Sequence, residues 1–276
     1  MKPKPFTYLR PASVDEAVQA LARSRDEARI LAGGQSLVPM MNFRLVEMQV
    51  LIDISDLPAL AYIREANGAI EVGAATTQAQ LMAWPKLGEL APLLSAAMPH
   101  VGHYQTRSRG TVCGSIAHSD PSSELPLCLA TLGGSVVLAS TRGTRVLPGG
   151  EFQTGMLTTA RLPDEMIVAV RFHVGKSKAG YAFAEVAQRH GDFAICAVAA
   201  TVSGHATQLG VGGVADRPNV REWSKLADSE IDDALNDFAW ELGATDDHHA
   251  TAAYRRGLVR RLGRQVIEEA RNKCSN

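Results

Sequence analysis

Two glycine-containing segments carry the residues best suited to chemistry, because both could bind an anion through the backbone. Consecutive glycines permit positive φ and leave no Cβ in the way of a ligand, so successive N–H groups can converge on one point. The first segment follows an apolar run that predicts a buried strand, and its serine adds a hydroxyl donor: Ala32-Gly33-Gly34-Gln35-Ser36-Leu37. The second segment lies further along the chain: Arg109-Gly110-Thr111-Val112-Cys113-Gly114-Ser115. Two such segments suit a diphosphate held between two subdomains.

Other nucleotide-binding motifs fit the sequence poorly. A P-loop needs a lysine after its second glycine, and neither segment has one. The stretch Gly210-Val211-Gly212-Gly213-Val214-Ala215 matches the dinucleotide pattern G-x-G-x-x-A. A Rossmann site requires a helix to begin there, however, and the stretch is followed by the turn-like run Asp216-Arg217-Pro218-Asn219. We therefore interpret residues 210–215 as the end of a strand.

The titratable side chains predict neither a metal site nor a nucleophile. The cysteines form no C-x-x-C pair and have no histidine at zinc-ligand spacing: Cys113, Cys128, Cys196 and Cys274. Scattered thiols of this kind are typical of a reducing cytoplasm, which is the predicted location. His118-Ser119-Asp120 has the residue types of a hydrolase triad, but adjacent residues rarely point at one another and the G-x-S-x-G elbow is absent. We list no catalytic residue.

Composition limits the classes of partner. The chain has 276 residues, 46% of them hydrophobic, which is enough for one large domain or two ordinary ones. Its 28 basic residues are balanced by 29 acidic ones, so nucleic acid is not an expected partner. A basic run near the end alternates with leucines at helical spacing, which indicates a solvated helix face or a subunit contact: Arg255, Arg256, Arg260, Arg261 and Arg264. No apolar run is long enough to span a membrane, and the first ten residues lack the apolar core of a signal peptide.

The pattern of elements predicts an α+β protein with two domains. A capping box at residues 13–16 predicts a helix, and strands are expected at 29–32, 50–54 and 69–74. Helices are expected at 77–83, 92–98 and 124–132, and strands dominate from 135 to 213. The last sixty or so residues predict two helices, at 229–242 and 249–271. The small, polar segment 175–180 is the expected boundary, between domains 1–176 and 177–276.

Three stretches resemble one known family, the FAD-binding medium subunits of molybdenum hydroxylases, and most of all the aerobic carbon monoxide dehydrogenase type. The first is the segment 32–39 followed by Asn42-Phe43-Arg44-Leu45. The second runs from His103-Tyr104-Gln105 through Arg109–Ser115 to Glu124-Leu125-Pro126. The third, residues 185–194, is similar to the start of the family's C-terminal domain. Together the three stretches follow one another in the family's order across the chain.

The resemblance implies noncovalent FAD in a two-part, vanillyl-alcohol-oxidase-like (PCMH-type) domain, closed by a small C-terminal antiparallel sheet with helices. In the family, the two glycine segments clasp the pyrophosphate. Asp120 and Glu124 match positions at the polar end of the flavin, and Leu162 and Phe193 match positions that approach it. The expected cofactor-binding residues are therefore Ala32, Gly33, Gly34, Gln35, Ser36, Leu37, Thr111, Gly114, Ser115, Asp120, Glu124, Leu162 and Phe193.

Two positions depart from the family pattern. Cys113 stands where the family usually has the first glycine of a Gly-Gly pair. Because cysteine at positive φ would cost roughly 1 kcal/mol or more, we expect position 113 to have a conformation open to any residue. Glu185 replaces a lysine of the xanthine oxidase branch, which argues against a flavin-tuning cation there and favours the bacterial three-subunit branch.

By this resemblance, the chain is the flavoprotein subunit of a molybdenum-containing hydroxylase. FAD on this chain would accept electrons from two [2Fe–2S] clusters on a small partner subunit and pass them to an external acceptor. A large partner subunit would hold the molybdopterin, and two such heterotrimers would form a dimer. Two alternatives stay open: a stand-alone FAD oxidoreductase of the same fold, and an assembly subunit that has lost its cofactor, for which Cys113 is the one favourable feature.

Overall fold

The N-terminal part of the protein is built on a three-stranded parallel sheet. The structure, a computed structural model, describes residues 2–224 and 226–274. The sheet has strand order β1-β3-β2 and carries two helices: β1 (Thr7–Leu9), α1 (Val14–Ser24), β2 (Ala28–Leu31), α2 (Leu37–Asn42) and β3 (Val50–Asp53). One-turn 3₁₀ helices follow α1 and β3, at Arg25–Glu27 and Pro58–Leu60. Helix α1 begins as predicted, since the Ser13 hydroxyl accepts from the Glu16 N–H at 3.1 Å.

An antiparallel sheet of five strands, in the order β4-β5-β10-β6-β7, forms the second part. Its strands are β4 (Ile63–Ala66), β5 (Ala69–Gly73), β6 (Ser135–Ser140), β7 (Gly143–Pro148) and β10 (Met166–His173). The β4–β5 turn has positive φ at both Asn67 and Gly68, as a type I′ hairpin requires. A two-stranded ribbon, β8 (Gln153–Gly155) and β9 (Thr158–Thr159), precedes β10.

Short helices connect β5 to β6 and cover this sheet. They are α3 (Gln78–Met82), α4 (Leu87–Leu90), α5 (Pro92–Ala97), α6 (Tyr104–Arg109), α7 (Val112–His118) and α8 (Glu124–Thr131), with α9 (Gly149–Phe152) after β7. Helix α8 is apolar on every side and almost wholly buried, so it lies in the middle of the molecule.

A four-stranded antiparallel meander forms the C-terminal part. It consists of β11 (Ala179–Ala187), β12 (Ala194–Ser203), β13 (Thr207–Gly212) and β14 (Asn219–Trp223), followed by a 3₁₀ turn (Asp228–Glu230), α10 (Ile231–Glu241) and α11 (Ala252–Cys274). Helices α10 and α11 pack with this sheet in one core, whereas Tyr181 and Phe183 join the core of the preceding parts. The sheet is therefore buried on both faces.

Most predicted elements are confirmed, but the interpretation of Arg255 is wrong and several elements were not predicted. The second glycine segment, for which no helix was predicted, leads into helix α7 at residues 112–118, with Thr111 as its N-cap. Arg255 does not belong to a solvated face: it is 5% exposed and its guanidinium donates to the carbonyls of Ile195 and Gly213. The elements that were not predicted include strands β1, β4 and β14 and helices α2, α4 and α6. As predicted, β13 ends at Gly212, so no Rossmann helix begins there.

The terminal residues and the length of the helices complete the description of the fold. Met1, Ser275 and Asn276, the outermost residues of the two predicted domains, lie outside the described residues. Within residues 2–224 and 226–274, none of the helices combines the length and the apolar character that crossing a bilayer would require.

Candidate functional site

A single large cavity gathers the predicted site residues from all three parts of the fold. Its volume is about 1420 Å³, more than the 300–1,000 Å³ of most small-molecule pockets. Twelve of the thirteen predicted residues line it: Ala32, Gly33, Gly34, Gln35, Ser36, Leu37, Thr111, Gly114, Ser115, Asp120, Glu124 and Phe193. Leu162 is not among the lining residues, although its neighbour Arg161 is. The cavity can therefore accommodate an extended ligand that touches segments far apart in sequence.

The first glycine segment touches the second through its backbone. A Cβ on Gly33 would lie 2.3 Å from the carbonyl oxygen of Arg109 and 2.7 Å from the Cα of Gly110. Gly34 has a φ of 70°, in the left-handed region that favours glycine. At Gly33, the missing side chain thus makes room for the other segment rather than for a ligand, and it fixes the two segments side by side.

The backbone of the first segment has unused donors. Within the described part of the chain, the N–H groups of residues 33–37 donate to no protein acceptor, although all five residues line the cavity. A side-chain hydrogen bond within this loop links Gln35 Nε2 to the Gly33 carbonyl at 3.2 Å. Partly buried N–H groups without a partner are costly unless water or a ligand accepts from them. This row of donors fits an anion such as a diphosphate.

The second segment contributes fewer donors because helix α7 uses them itself. The Val112 N–H donates to the Thr76 carbonyl at 3.1 Å, and the Gly114 N–H donates to the Thr111 hydroxyl at 3.0 Å. A Cβ on Gly114 would lie 2.7 Å from that hydroxyl oxygen, so glycine leaves space for the cap. Cys113 is buried in the first turn of α7 and does not have positive φ, which confirms the conformation expected for it.

Two carboxylates lie where helix α7 gives way to α8. Asp120 Oδ1 accepts from the Ser122 N–H at 2.8 Å, which fixes the turn. Glu124, the first residue of α8, is only 5% exposed and lines the cavity. Burial raises the pKa of Glu124 to about 7, and the charges of Glu185 and Asp120 act in the same direction. Glu124 can therefore hold or release a proton near neutral pH.

Aromatic and serine residues of this region have separate environments. Phe193 precedes β12, lines the cavity and is 58% exposed, so its ring is free to contact a ligand.

Ser119 donates its hydroxyl hydrogen to the Thr158 carbonyl at 3.1 Å. Because that hydroxyl is already committed, His118 and Asp120 do not form a hydrolase triad with it.

Gln78, Arg161 and Arg255 are among the polar cavity residues that sequence reasoning missed. Gln78 is 6% exposed, and its Oε1 has no hydrogen-bond partner in the described structure. Arg161 is half-buried, and its guanidinium donates to the carbonyls of Leu162 and Glu165. Arg255 reaches the cavity from α11 and pairs with Asp247 at 2.6 Å. A polar residue in a predicted helix or turn is usually solvated, so the sequence held no signal for these positions.

The cavity fits a flavin dinucleotide on the protein's own geometry. Unused N–H groups suit the pyrophosphate, the orphaned amide oxygen of Gln78 suits a hydroxyl or ring donor, and the exposed Phe193 ring suits a flat apolar face. Among the residues that the structure describes, no three His, Cys, Asp or Glu side chains lie close enough to hold a metal ion.

Comparison with known proteins agrees with this geometry. The model of the FAD-binding domain in molybdopterin dehydrogenase matches residues 4–172. Subunit alpha of the 6-hydroxypseudooxynicotine dehydrogenase complex from Paenarthrobacter nicotinovorans is 35% identical, with 99% of this chain and 97% of that one covered. The carbon monoxide dehydrogenase medium chain of Afipia carboxidovorans is 30% identical over the whole of both chains. In the crystal structure of quinoline 2-oxidoreductase from Pseudomonas putida 86, one chain superposes with a TM-score of 0.93 at 32% identity, and both chains are covered completely.

These matches confirm the expected fold and role. The protein is an oxidoreductase subunit with an FAD-binding domain of the kind found in molybdopterin dehydrogenases, and its relatives are subunits of multi-subunit dehydrogenases. From the cavity, the unused backbone donors and the matches together, the chain belongs to the family of FAD-binding medium subunits of molybdopterin dehydrogenases.

Proposed function

We propose that residues 33–37 bind the pyrophosphate of FAD through their backbone N–H groups. The observation that carries this assignment is the row of donors without protein acceptors along the cavity wall. Backbone donors neutralise a diphosphate without a basic patch, which agrees with the near-neutral balance of the chain. The Ser36 hydroxyl and the start of α7 at Thr111, Gly114 and Ser115 complete the site from either side.

The remaining site residues orient the two ends of the cofactor. Asp120 and Glu124 accept from ribityl hydroxyls or from the ring, and Phe193 covers one ring face. Leu162 is exposed and follows the cavity residue Arg161 in the loop between β9 and β10, and we infer that it approaches the cofactor from there. When bound, FAD supplies the redox chemistry: it takes up electrons from iron–sulfur clusters and gives them to an external acceptor. The chain itself binds the cofactor, excludes water from it and sets its electrostatic environment.

The complex follows the division of labour of the relatives. We infer two partners, a large molybdopterin subunit and a small iron–sulfur subunit, with two heterotrimers assembled as a dimer. We also infer a cytoplasmic location, which the four unpaired thiols favour. The domain boundary is proposed at 176/177, between β10 and β11; the family match ends shortly before it, at residue 172.

One purification tests the assignment. The full chain carrying an affinity tag is expressed in its own host, recovered without denaturant, and analysed by gel filtration with absorbance and mass spectrometry. We expect the chain to show a flavin absorption band and to elute together with one larger and one smaller partner chain. The mass of the eluted complex should be that of a dimer of heterotrimers. A colourless preparation would refute FAD binding. A yellow chain that elutes alone and oxidises a substrate would instead establish the stand-alone oxidoreductase.

A further inference from the structure

Three titratable side chains act on one another near the cavity wall. Glu124 lines the cavity, Glu185 lies on β11 and His100 follows α5, and the charges of Glu185 and His100 both act on Glu124. The Glu185 side chain is 4% exposed and contacts His100 Nδ1 at 3.2 Å through Oε1. His100 is 33% exposed, so it is the member of the cluster that meets solvent. The cluster therefore has one member at the cavity wall, Glu124, and one that meets solvent, His100.

The cluster carries more negative charge than its surroundings neutralise. Glu185 Oε2 is buried without a hydrogen-bond partner, and in the described parts of the chain no arginine or lysine forms an ion pair with either glutamate. Asp120 adds a further negative charge near Glu124. The buried Cys128 thiol is a further neighbour, and the rings of Phe183 and His190 have centroids 5.3 and 6.0 Å from that of His100. Two buried carboxylates with one imidazole must hold an extra proton to avoid an unpaired buried charge.

The pKa shifts of His100 and Glu124 agree with an extra proton held within the cluster. The hydrogen bond to Glu185 raises the pKa of His100, although burial opposes it. Burial raises the pKa of Glu124 to about 7, and the charge of Glu185 raises it further. Near neutral pH, a protonated His100 can thus pair with Glu185 while Glu124 holds a proton at the cavity wall.

We propose that Glu124, Glu185 and His100 form a proton path between the FAD cavity and solvent, with Glu124 as the inner donor. The proposal rests on the assignment of FAD to this cavity. Reduction of a flavin by two electrons takes up at least one proton. The electrons come from the partner's iron–sulfur clusters, the proton comes from Glu124, and a proton from solvent replaces it through His100 and Glu185. Reoxidation by the external acceptor releases protons by the reverse route.

The path is tested with the full chain in two ways. The first needs no FAD: carboxyl carbon NMR of protein labelled with ¹³C-glutamate, recorded as a function of pH. We expect one glutamate signal that titrates near pH 7. This signal should be absent from the Glu124→Gln variant and should titrate at lower pH in the Glu185→Gln variant. Glu89→Gln, an exposed glutamate on α4, is the control and should change neither result.

The second measurement follows protons directly. The chain loaded with FAD is photoreduced in weak buffer with a pH indicator, so that flavin bleaching and proton uptake are recorded together. We expect proton uptake to slow about tenfold or more in Glu124→Gln, Glu185→Gln and His100→Ala. Added imidazole should restore the rate in His100→Ala alone, and His205→Ala, at an exposed histidine, should behave as wild type.

The outcomes separate the path from the cofactor assignment. Wild-type protein that fails to retain FAD refutes the assignment, whereas the NMR titration still reports whether the carboxylates share a proton. If Glu124→Gln loses FAD, the Glu185 and His100 variants decide, because neither residue lines the cavity. Unchanged uptake in those two variants, or a Glu124 carboxyl that titrates as an ordinary glutamate regardless of Glu185, overturns the path.

Discussion

Replacing Gly33 by alanine should weaken FAD binding because it separates the two segments that form the cavity wall. The added Cβ would lie 2.3 Å from the Arg109 carbonyl oxygen, whereas ordinary contacts begin at 3.4 Å. Both partners are backbone, so no side chain can move aside, and the segments must part by about 1 Å, a displacement large enough to impair a preorganised site. Overpacking of this kind costs about 1–3 kcal/mol. The strain is released when the segments separate, but FAD requires them together, so the cost falls on binding.

The expected result is a dissociation constant for FAD that rises about ten- to hundredfold, since each 1.4 kcal/mol corresponds to a factor of about ten. It is measured by titrating the FAD-free full chain and following flavin fluorescence, and checked by flavin content after gel filtration. Gly150→Ala is the matched control, because a Cβ there meets nothing within 4 Å and Gly150 does not have positive φ. Wild-type affinity in Gly33→Ala would refute both the contact and the role of this loop.

Three further predictions address other parts of the structure. Phe193→Ala should alter the fluorescence and the midpoint potential of bound FAD while leaving most of the affinity, because its exposed ring contacts the flavin without holding the diphosphate; an unchanged spectrum and potential would remove it from the site. Because the pKa of Glu124 is raised in the folded state to about 7, its proton stabilises the fold at low pH, and stability should fall by on the order of 3 kcal/mol as pH rises from about 4.5 to 7. Urea unfolding of the FAD-free chain measures this slope, which Glu124→Gln should flatten. Arg255→Met should lower the free energy of unfolding by about 1–3 kcal/mol in the same assay, because the carbonyls of Ile195 and Gly213 lose their donor. An unchanged free energy of unfolding would show that the buried guanidinium does not stabilise the fold.

Local signals in the sequence predicted most of the fold. The capping box at Ser13 and Glu16 placed the start of α1 correctly, and the Asn67-Gly68 pair marked the turn before β5. Such features are encoded within four residues, so they need no knowledge of the tertiary structure. The first glycine segment was identified for the same reason: its conformation depends on its own residues.

Features that depend on distant residues were missed or misjudged. Arg255 looks like one of five surface arginines, yet it is buried because carbonyls 60 and 42 residues earlier accept from it. From the sequence, Glu185 was interpreted only as a position that lacks a lysine. Its interactions with His100 and Glu124 depend on the fold. Periodicity identifies the face of a helix or strand but not the groups that the fold packs against that face.

The two glycine segments look equivalent in sequence but differ in what they can offer an anion. In α7, the first-turn N–H groups of Val112 and Gly114 are consumed by Thr76 and by the Thr111 cap. In the described chain, Cys113 is the first-turn residue whose N–H is left without a protein acceptor, whereas residues 33–37 keep all of theirs. A helix of seven residues adds only a small dipole of its own. The first segment must therefore supply most of the hydrogen bonds to a diphosphate. The second segment serves chiefly to hold the first in place, through the contact of Gly33 with the Arg109–Gly110 backbone.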